Sequence, residues 1–416
     1  RHRPFEDAGE RRERAAEDQP EQRRAPEMDL PADRLKVRRG REHGGDELVV
    51  HPGFFFGFVD KCPWRRDGGR ALAHRVNGRG WRVPSGPIEV GTIAPSLPGS
   101  FRALDRTRTW NWQQGAELQW RGAFPEVVFN VESPAGPVGR VVDEEGSCLT
   151  ILDRPVAAVS PDGESYASFD FRRLARGMPG YGYEGWGEED SVCVLSLASF
   201  EAPRHRTVLF QGAGQVRDGY AFLSHASFSP DGNRLAFFYR NRLPSGRLLT
   251  RTLIADLIAE DVHELELEDC SHFAWLDSEF LFAFCRAPGE SWGYAKISTT
   301  TGTPESVAFL SGLPDGHPGT CKRHDLIVSD TYPDRHRLQR LLLFALDDGR
   351  VEELLRLRIP LQFRGTARCD FHPRWSPDGR TVCFDSAHLG ARAMCFLELE
   401  PDSLTSPRGA MAAGQR

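Results

Sequence analysis

A short turn motif recurs along this chain and limits the folds that the chain can adopt. Ser-Pro-Asp-Gly occurs within PVAAVSPDGESYASFDF from Pro155, SHASFSPDGNRLAFFYR from Ser224 and FHPRWSPDGRTVCFDSA from Phe371. Proline presets φ at about −65°, aspartate tolerates the next position, and glycine accepts a positive φ at the exit. Apolar and polar residues alternate on both sides of each turn, which is typical of a β-hairpin.

Weaker copies of the same hairpin fill the gaps between these three. They read SHFAWLDSEFLFAFC from Ser271, GHPGTCKRHDLIVSDTYP from Gly316, AELQWRGAFPEVVFNV from Ala116 and HPGFFFGFVDKCPWRRDGGRALAHRV from His51. Units of this kind recur every ~40–70 residues with little helical pattern between them, which is typical of a β-propeller. The sequence therefore predicts an all-β protein, a single β-propeller of seven blades, with six or eight blades as the alternatives.

The composition excludes several classes of partner. A formal net charge of −6 gives no reason to expect nucleic acid, and the apolar runs are too short for a membrane span. Nine scattered cysteines, an odd number, do not form a disulfide framework. We therefore expect a reduced compartment, no nucleic-acid or membrane partner, and a monomer or simple homo-oligomer.

The ends of the chain differ in composition from its middle. Residues 1–47 are dense in arginine and glutamate and poor in large apolar residues, which predicts a disordered charged arm. Residues 403–416 are predicted to form a disordered tail, which leaves 48–402 for the propeller. No secretory signal is evident near Arg1, so a cytoplasmic location is the default expectation, with the native start residue left open.

The hairpin copies share one position that often carries histidine. Three residues before the aromatic residue of each inner strand, or its equivalent, stand His51, Glu117, Val156, His225, His272, His317 and His372. The first strand of each propeller blade lines the central channel, so these side chains are expected to converge on the axis. The simpler alternative is that each histidine is a satisfied polar residue at a blade edge.

The last inner strand adds a thiol to this series, because Cys369 lies three residues before His372. Together with His317 and His272 they predict a metal site rich in nitrogen and sulfur ligands. Such ligands favour zinc or another borderline metal over calcium or magnesium. Cys321 and His324 are further candidates in the same region.

Four stretches resemble one group of bacterial propeller proteins. They are TRTWNWQQGAELQW from Thr107, FRRLARGMPGYGYEG from Phe171, SDTYPDRHRLQRLLLF from Ser329 and RCDFHPRWSPDGRTVCFDSAHLGARAMCFLEL from Arg368. The chain is similar, over about residues 50–400, to the group related to oligogalacturonate lyase and the propeller-type ulvan lyases.

The resemblance implies a seven-bladed propeller with a polysaccharide cleft at one mouth. It also implies a divalent metal held by histidines and a glutamine from late blades. The matching positions here are His317, Cys369 and His372, and Cys369 departs from the amide or imidazole ligand of the family. Zinc and manganese remain the alternatives for the metal.

Cleavage of a uronic acid polymer by β-elimination needs a group that neutralises the carboxylate, a base and an acid. The loop FRRLARGMPGYGYEGW, residues 171–186, supplies Arg176, Tyr181 and Tyr183, and the channel supplies His225. We predict catalytic roles for these four residues. The alternative is a surface loop whose tyrosines pack against the next blade.

Two further stretches are predicted to bind the sugar. Asn111, Gln113 and Gln114 lie between or beside two tryptophans, and aromatic rings with amides suit sugar faces and hydroxyls. Tyr332 and Arg337 lie in a polar turn further along the chain. Blade-edge packing and a solvated charge cluster are the respective alternatives.

We therefore expect a carbohydrate-active propeller that cleaves acidic oligo- or polysaccharides by β-elimination. The competing hypothesis is a non-catalytic propeller that binds a ligand or a protein and uses the histidine and cysteine cluster as a structural metal clip. Fold alone does not distinguish them, because propellers serve both kinds of function.

Overall fold

The computed structural model describes residues 34–36, 47–76, 78, 80–82, 86–185, 189–321 and 325–399. These residues form seven antiparallel sheets that are the blades of a single β-propeller. The predicted fold class and blade number are both confirmed. No helix among the described residues is long and apolar enough to cross a membrane.

Two strands, β1 (Arg34–Lys36) and β2 (Glu47–Pro52), precede the first blade. Blade 1 contains β3 (Phe54–Phe55), β4 (Ala71–Arg75), β5 (Ile88–Ile93) and β6 (Arg102–Thr107). Blade 2 contains β7 (Gln119–Trp120), β8 (Glu126–Ser133), β9 (Gly136–Asp143) and β10 (Cys148–Ile151). Blade 3 contains β11 (Ala158–Val159), β12 (Ser165–Ser168), the helix α1 (Phe171–Gly177), β13 (Cys193–Ser199) and β14 (Arg206–Gly212).

Blade 4 contains β15 (Gln215–Val216), β16 (Gly219–Phe228), β17 (Arg234–Arg242), β18 (Leu248–Asp256) and β19 (Asp261–Glu264). Blade 5 contains β20 (Asp269–Trp275), β21 (Phe280–Arg286), β22 (Gly293–Ser298) and β23 (Pro304–Ser306), followed by a 3₁₀ turn (Ala308–Leu310). Blade 6 contains β24 (Gly319–Thr320), β25 (Leu326–Asp330), β26 (Leu338–Ala345) and β27 (Arg350–Arg358), followed by a 3₁₀ turn (Gly365–Ala367). Blade 7 contains β28 (Arg374–Trp375), β29 (Thr381–Ser386) and β30 (Ala393–Glu398).

Strand β2 closes the ring by completing blade 7. It pairs antiparallel with β30, and His51 lies opposite Met394. The expectation that His51 starts an inner strand was therefore wrong: His51 lies on the fourth strand of blade 7, where its Nε2 meets the carbonyl of Pro95 at 2.9 Å. The phenylalanines after His51 do form the inner strand β3 of blade 1, but the pairing with β4 continues to Trp64, which bridges Ala71, so the inner hairpin turns later than expected.

The three Ser-Pro-Asp-Gly turns have the geometry that their residues predict. In each turn the serine hydroxyl donates to the aspartate, at 2.5 Å from Ser160, 2.6 Å from Ser229 and 2.5 Å from Ser376. In each, the glycine N–H donates to the serine carbonyl at 2.9 Å, and the glycine φ lies between +69° and +79°. These local bonds explain why the hairpins were recognisable from the sequence.

Aromatic and aliphatic side chains fill the spaces between neighbouring blades. Phe282 and Tyr294 of blade 5 pack against Phe344 of blade 6, with the tyrosine and Phe344 ring centres 5.5 Å apart. Burial of one such phenylalanine contributes about 1.5–3 kcal/mol to the free energy of unfolding. This packing holds the inner strands at fixed distances from the axis.

Little of the predicted arm and tail falls within the described residues. Strand β1 lies inside the segment for which no structure was expected, and it pairs with β2. The rest of residues 1–46 and the predicted tail, residues 403–416, lie outside the described residues.

Candidate active site

Each blade contributes one residue, within its inner strand or just before it, to an axial ring. The correct register replaces His51 with Lys61, which precedes Trp64 by three residues, and the ring is completed by Glu117, Val156, His225, His272, His317 and His372. All seven side chains are buried or nearly so. The ring is therefore charged in blades 1 and 2, apolar in blade 3 and rich in imidazole in blades 4 to 7.

Local backbone irregularities turn several of these side chains out of the sheet pattern. Glu117, His225 and His372 have positive φ angles of 53°, 57° and 45°. The pairing of β16 with β17 shifts register between Ser224 and Ser227, directly around His225. Bulges of this kind re-aim side chains at the rims of closed sheets.

Four imidazoles meet around one phenylalanine. The ring centres of His272 and His317 are 4.2 Å apart, and those of His317 and His372 are 4.3 Å apart. Phe58 lies within this group, with its ring centre 4.5 Å from that of His225 and 4.7 Å from that of His372. Residues distant in sequence therefore converge on the axis, as the repeat predicted.

The Nδ1 atom of each of three histidines has a hydrogen-bond acceptor. His317 Nδ1 lies 2.8 Å from Asp330 Oδ1, and His272 Nδ1 lies 3.0 Å from Asp315 Oδ1. His372 Nδ1 lies 2.9 Å from the carbonyl of Gly57. With an acceptor opposite each Nδ1, that atom carries the hydrogen, and each neutral imidazole offers the lone pair of its Nε2.

Three described residues converge, and each has one buried ligand atom without a hydrogen-bond partner. These atoms are Nε2 of His317, Nε2 of His372 and Oδ1 of Asp370. All three residues can place a ligand atom within 4.8 Å of the other two. Two imidazoles and a carboxylate suit zinc or manganese. The residues present therefore fit a divalent metal.

Cys369 lies in the extended segment before β28 and packs into the core instead of joining this group. Its side chain is 2% exposed and packs in the core formed by blades 6 and 7. Burial raises the pKa of the Cys369 thiol to about 12 in the metal-free protein, and the group of converging ligands comprises His317, Asp370 and His372 without Cys369. Cys321 lies in the same core, and His324 lies outside the described residues. Asp370, which the sequence reasoning missed, occupies the place expected for Cys369.

Burial and charge divide the histidines into two protonation classes. Burial lowers the pKa of His225, His272 and His372, so all three favour the neutral form. Burial also opposes the charge on His317, but the adjacent Asp330 carboxylate outweighs it and raises the pKa of His317.

A guanidinium and a phenol form a pair beside the histidines. Arg368 Nη2 donates to the hydroxyl of Tyr181 at 2.7 Å, and Arg368 Nε donates to Asp370 at 2.6 Å. Burial raises the pKa of Tyr181 although the Arg368 charge opposes the rise. The sequence reasoning missed Arg368, whose guanidinium links a predicted loop residue to a candidate metal ligand.

Two more residues border the pair. Buried Arg240 donates from Nη2 to the Ser271 carbonyl at 3.1 Å, and its charge acts on both Tyr181 and His225. Tyr332, 38% exposed, has its ring centre 5.5 Å from that of His317. Tyr332 therefore marks the solvent side of the cluster, while Phe58, 4% exposed, forms its inner side.

The other predicted catalytic residues lie away from this cluster. The Arg176 side chain is 68% exposed and forms an ion pair with Glu189 at 2.7 Å. Tyr183 is buried, stacks on Phe171 and accepts a hydrogen bond from Asn130 at 3.0 Å. Arg176 was chosen from its spacing in the loop, but the helix α1 directs it to the surface, and Tyr183 follows the packing alternative.

The predicted sugar-binding residues also fall into two groups, those that make internal contacts and one that lies beside the cluster. Asn111, Gln113 and Gln114 are buried, and each bonds to the backbone of other segments. Arg337 donates to the carbonyls of Ile359 and Phe363 and so fixes a loop of blade 6. Of the five predicted residues, Tyr332 is the one beside the cluster with an exposed face.

A buried ion cluster occupies the blade 1 and blade 2 side of the ring. Lys61 Nζ lies 2.7 Å from Asp60 Oδ2 and 3.6 Å from Glu117 Oε2, and it donates to the Ala226 carbonyl at 3.3 Å. Burial raises the pKa of Glu117 to about 8, against the opposing charge of Lys61. Lys61 thus connects blade 1 to blade 4 across the axis.

Comparisons with known proteins support this architecture. No family model matches the sequence, and no curated protein matches it. The chain is similar to a solved structure of oligogalacturonate lyase in complex with manganese, with a TM-score of 0.64, 15% identity and coverage of 90% of this chain and 98% of that one. Oligogalacturonate lyase from Vibrio parahaemolyticus matches with a TM-score of 0.62, 13% identity and coverage of 90% and 100%. At these identities the likeness establishes a shared propeller fold.

Proposed function

We propose that the protein is a metal-dependent lyase that cleaves uronic-acid-containing oligosaccharides by β-elimination. The observation that carries the proposal is the meeting of two kinds of group in the channel. Open ligand atoms of His317, Asp370 and His372 lie beside a neutral imidazole, His272, and a phenol paired with a guanidinium. The shared fold with oligogalacturonate lyases supports this choice of reaction.

Elimination begins with removal of the proton next to the sugar carboxylate. His272 suits the base, because Asp315 holds its Nδ1–H and leaves the Nε2 lone pair free. Burial lowers the pKa of His272, so the imidazole is neutral and able to accept a proton near neutral pH. Asp315 also stabilises the imidazolium that forms after the transfer.

The carboxylate must be neutralised for its neighbouring proton to become acidic. Arg368 supplies a positive charge, and its Nη1 has no hydrogen-bond partner among the described residues. A divalent metal held by His317, Asp370 and His372 would act there as a Lewis acid.

The leaving oxygen needs a proton as the bond to it breaks. Tyr181 suits the acid, because burial raises the pKa of its phenol and keeps it protonated. His225 lies behind it, with the two ring centres 5.8 Å apart. A role for His225 in returning a proton to Tyr181 stays a prediction.

The alternative function is a binding propeller with a structural metal clip between blades 6 and 7. The burial of the three candidate ligands favours it, since His317, Asp370 and His372 are at most 3% exposed. A structural clip requires no base, so His272 distinguishes the two functions.

The test replaces His272 with glutamine and measures metal content and cleavage of oligogalacturonate on the same preparations. His263→Gln is the matched control, because His263 lies on an outer strand and bonds to the Thr299 carbonyl. We expect His272→Gln to keep its metal and to lose elimination activity by about 10²–10⁴-fold, while the control keeps both. Full activity in His272→Gln would exclude the base, and a wild-type protein that binds metal without cleaving any uronide would favour the clip.

A further inference from the structure

The buried turn from Asn111 to Gly115 directs its amides to other parts of the propeller. Within the turn, Asn111 Oδ1 accepts the N–H groups of Gln113 at 2.9 Å and Gln114 at 2.8 Å. Asn111 Nδ2 donates to the carbonyl of Gly182 at 2.9 Å, and Gln114 Oε1 accepts the N–H of Gly182 at 3.1 Å. Both backbone groups of Gly182 are therefore held by the same turn.

Gly182 immediately follows Tyr181 and has little freedom to move. Its φ is +65°, and a Cβ at this position would lie 2.2 Å from the carbonyl oxygen of Phe171. The backbone that carries Tyr181 is thus fixed by close packing on one side and by two amides on the other.

The same turn also holds the partner of Tyr181. Gln113 Nε2 donates to the carbonyl of Arg368 at 3.0 Å, and buried Arg392 donates to the same carbonyl at 2.8 Å. One turn between blades 1 and 2 therefore contacts the backbone of blade 3 beside Tyr181 and the backbone of Arg368 before blade 7.

We propose that Asn111, Gln113 and Gln114 are positioning residues that fix the Tyr181–Arg368 pair and thereby set the preference for a substrate that carries a carboxylate. The inference rests on the proposed function, in which Arg368 faces that carboxylate. The amides do not touch the substrate, because they are buried and their contacts are internal. The three amides contribute by orienting the Arg368 guanidinium. A displacement of this group by about an ångström would remove much of its interaction with the sugar carboxylate.

The test measures how strongly the protein prefers a charged sugar to its neutral counterpart. Binding of a galacturonate trimer and of the same trimer with its carboxyl groups reduced to alcohols is measured by calorimetry in metal-loaded protein that carries His272→Gln, so that the trimer is bound and not cleaved. Gln113→Met keeps the volume of the side chain and removes its hydrogen bond. We expect the ratio of the two affinities to fall about tenfold, since a misplaced Arg368 guanidinium loses part of its charged hydrogen bond to the sugar carboxylate, and this loss has that magnitude.

Two further variants separate positioning from general stability. Asn241→Leu is the matched control, because buried Asn241 makes the same kind of bond, to the Val216 carbonyl at 2.7 Å, in blade 4. We expect it to leave the affinity ratio unchanged. In an Arg368→Met background, Gln113→Met is expected to have no further effect on the ratio, because both changes act on one group.

Several results would overturn the proposal. They are an unchanged ratio in Gln113→Met, an equal loss of affinity for both sugars, an additive effect in the Arg368→Met background, or a parent protein, with Gln113 intact, that shows no preference for the charged sugar. Failure of the proposed function is separate: a wild-type protein that prefers the charged trimer but never cleaves it would refute the lyase while the positioning role is still measured by binding.

Discussion

Asp330 accepts a hydrogen bond from Nδ1 of His317 at 2.8 Å, and both side chains are almost fully buried. The second oxygen of Asp330 accepts the backbone N–H groups of Phe371 at 2.9 Å and His372 at 3.2 Å. One carboxylate therefore orients a candidate ligand of blade 6 and fixes the strand that carries the candidate ligands of blade 7. Carboxylates that hold metal-binding histidines in this way strengthen the site behind the ligands themselves.

Replacement of Asp330 by asparagine is predicted to weaken metal binding. The amide still occupies the space, but it lacks the negative charge that orients the His317 ring through Nδ1 and makes its Nε2 a stronger electron-pair donor, so we expect about 10–100-fold lower affinity, measured by competition with a chelator. Asp170→Asn is the control, because Asp170 is a buried carboxylate that caps α1 in blade 3. Equal affinity of wild type and Asp330→Asn would contradict the arrangement.

Substitutions at the neighbouring positions 369 and 370 are predicted to change different properties, stability at position 369 and metal affinity at position 370. Cys369→Ala removes a core sulfur and is expected to reduce the free energy of unfolding by about 1 kcal/mol without loss of metal. Asp370→Asn removes the carboxylate that faces His317 and His372 and is expected to lower metal affinity at least tenfold, on the order of the loss of one ligand interaction. Metal analysis and urea unfolding of both variants check this pair, and loss of metal in Cys369→Ala alone would restore the thiol as ligand.

His74 is predicted to make the protein less stable in acid. It lies in β4, accepts the N–H of Ala116 at 3.0 Å, and burial lowers its pKa from 6.5 to about 3. Its contribution to stability is therefore complete above pH 6.5 and is lost as the pH falls below that value, at about 1.4 kcal/mol per pH unit. Other buried histidines with a lowered pKa also reduce stability in acid. The contribution of His74 is therefore the difference in the free energy of unfolding between wild type and His74→Asn.

Urea unfolding between pH 7.5 and pH 5, in the presence of a chelator, measures that difference. His74→Asn is expected to be less stable than wild type at pH 7.5 and to lose stability less steeply as the pH falls. Parallel pH profiles for the two proteins would show that His74 is not held neutral in the folded state.

Features that depend on local chemistry were predictable from the sequence. The Ser-Pro-Asp-Gly turns specify their own hydrogen bonds, and they fix the register of Val156, His225 and His372, to which the weaker copies that carry His272 and His317 were aligned. The imidazole cluster follows from that register and from the convergence of inner strands in a propeller. The prediction was wrong for blade 1, because the turn of its inner hairpin lacks Ser-Pro. His51 was therefore assigned to the ring position that Lys61 occupies.

The partners of the histidines depend on contacts between distant segments. Asp330 ends the second strand of blade 6, and Arg368 directly follows the 3₁₀ turn before blade 7. No short motif therefore joins them to His317 or Tyr181. Asp370 could have been predicted from its spacing. Residues two apart in an extended segment share a face, which places Asp370 beside His372 and directs Cys369 away. The tryptophan-flanked amides were recognisable as unusual, but their internal role depends on the strand connections around them.

The most direct test of the account measures metal and elimination on one preparation of the purified protein. We expect about one divalent metal ion per chain and a rise in ultraviolet absorbance from the unsaturated product when oligogalacturonate is added. Chelation should abolish the rise, and addition of manganese or zinc should restore it. Unchanged cleavage by the metal-free protein would contradict the metal dependence, and metal-loaded protein without cleavage of any uronic acid oligomer would contradict the lyase.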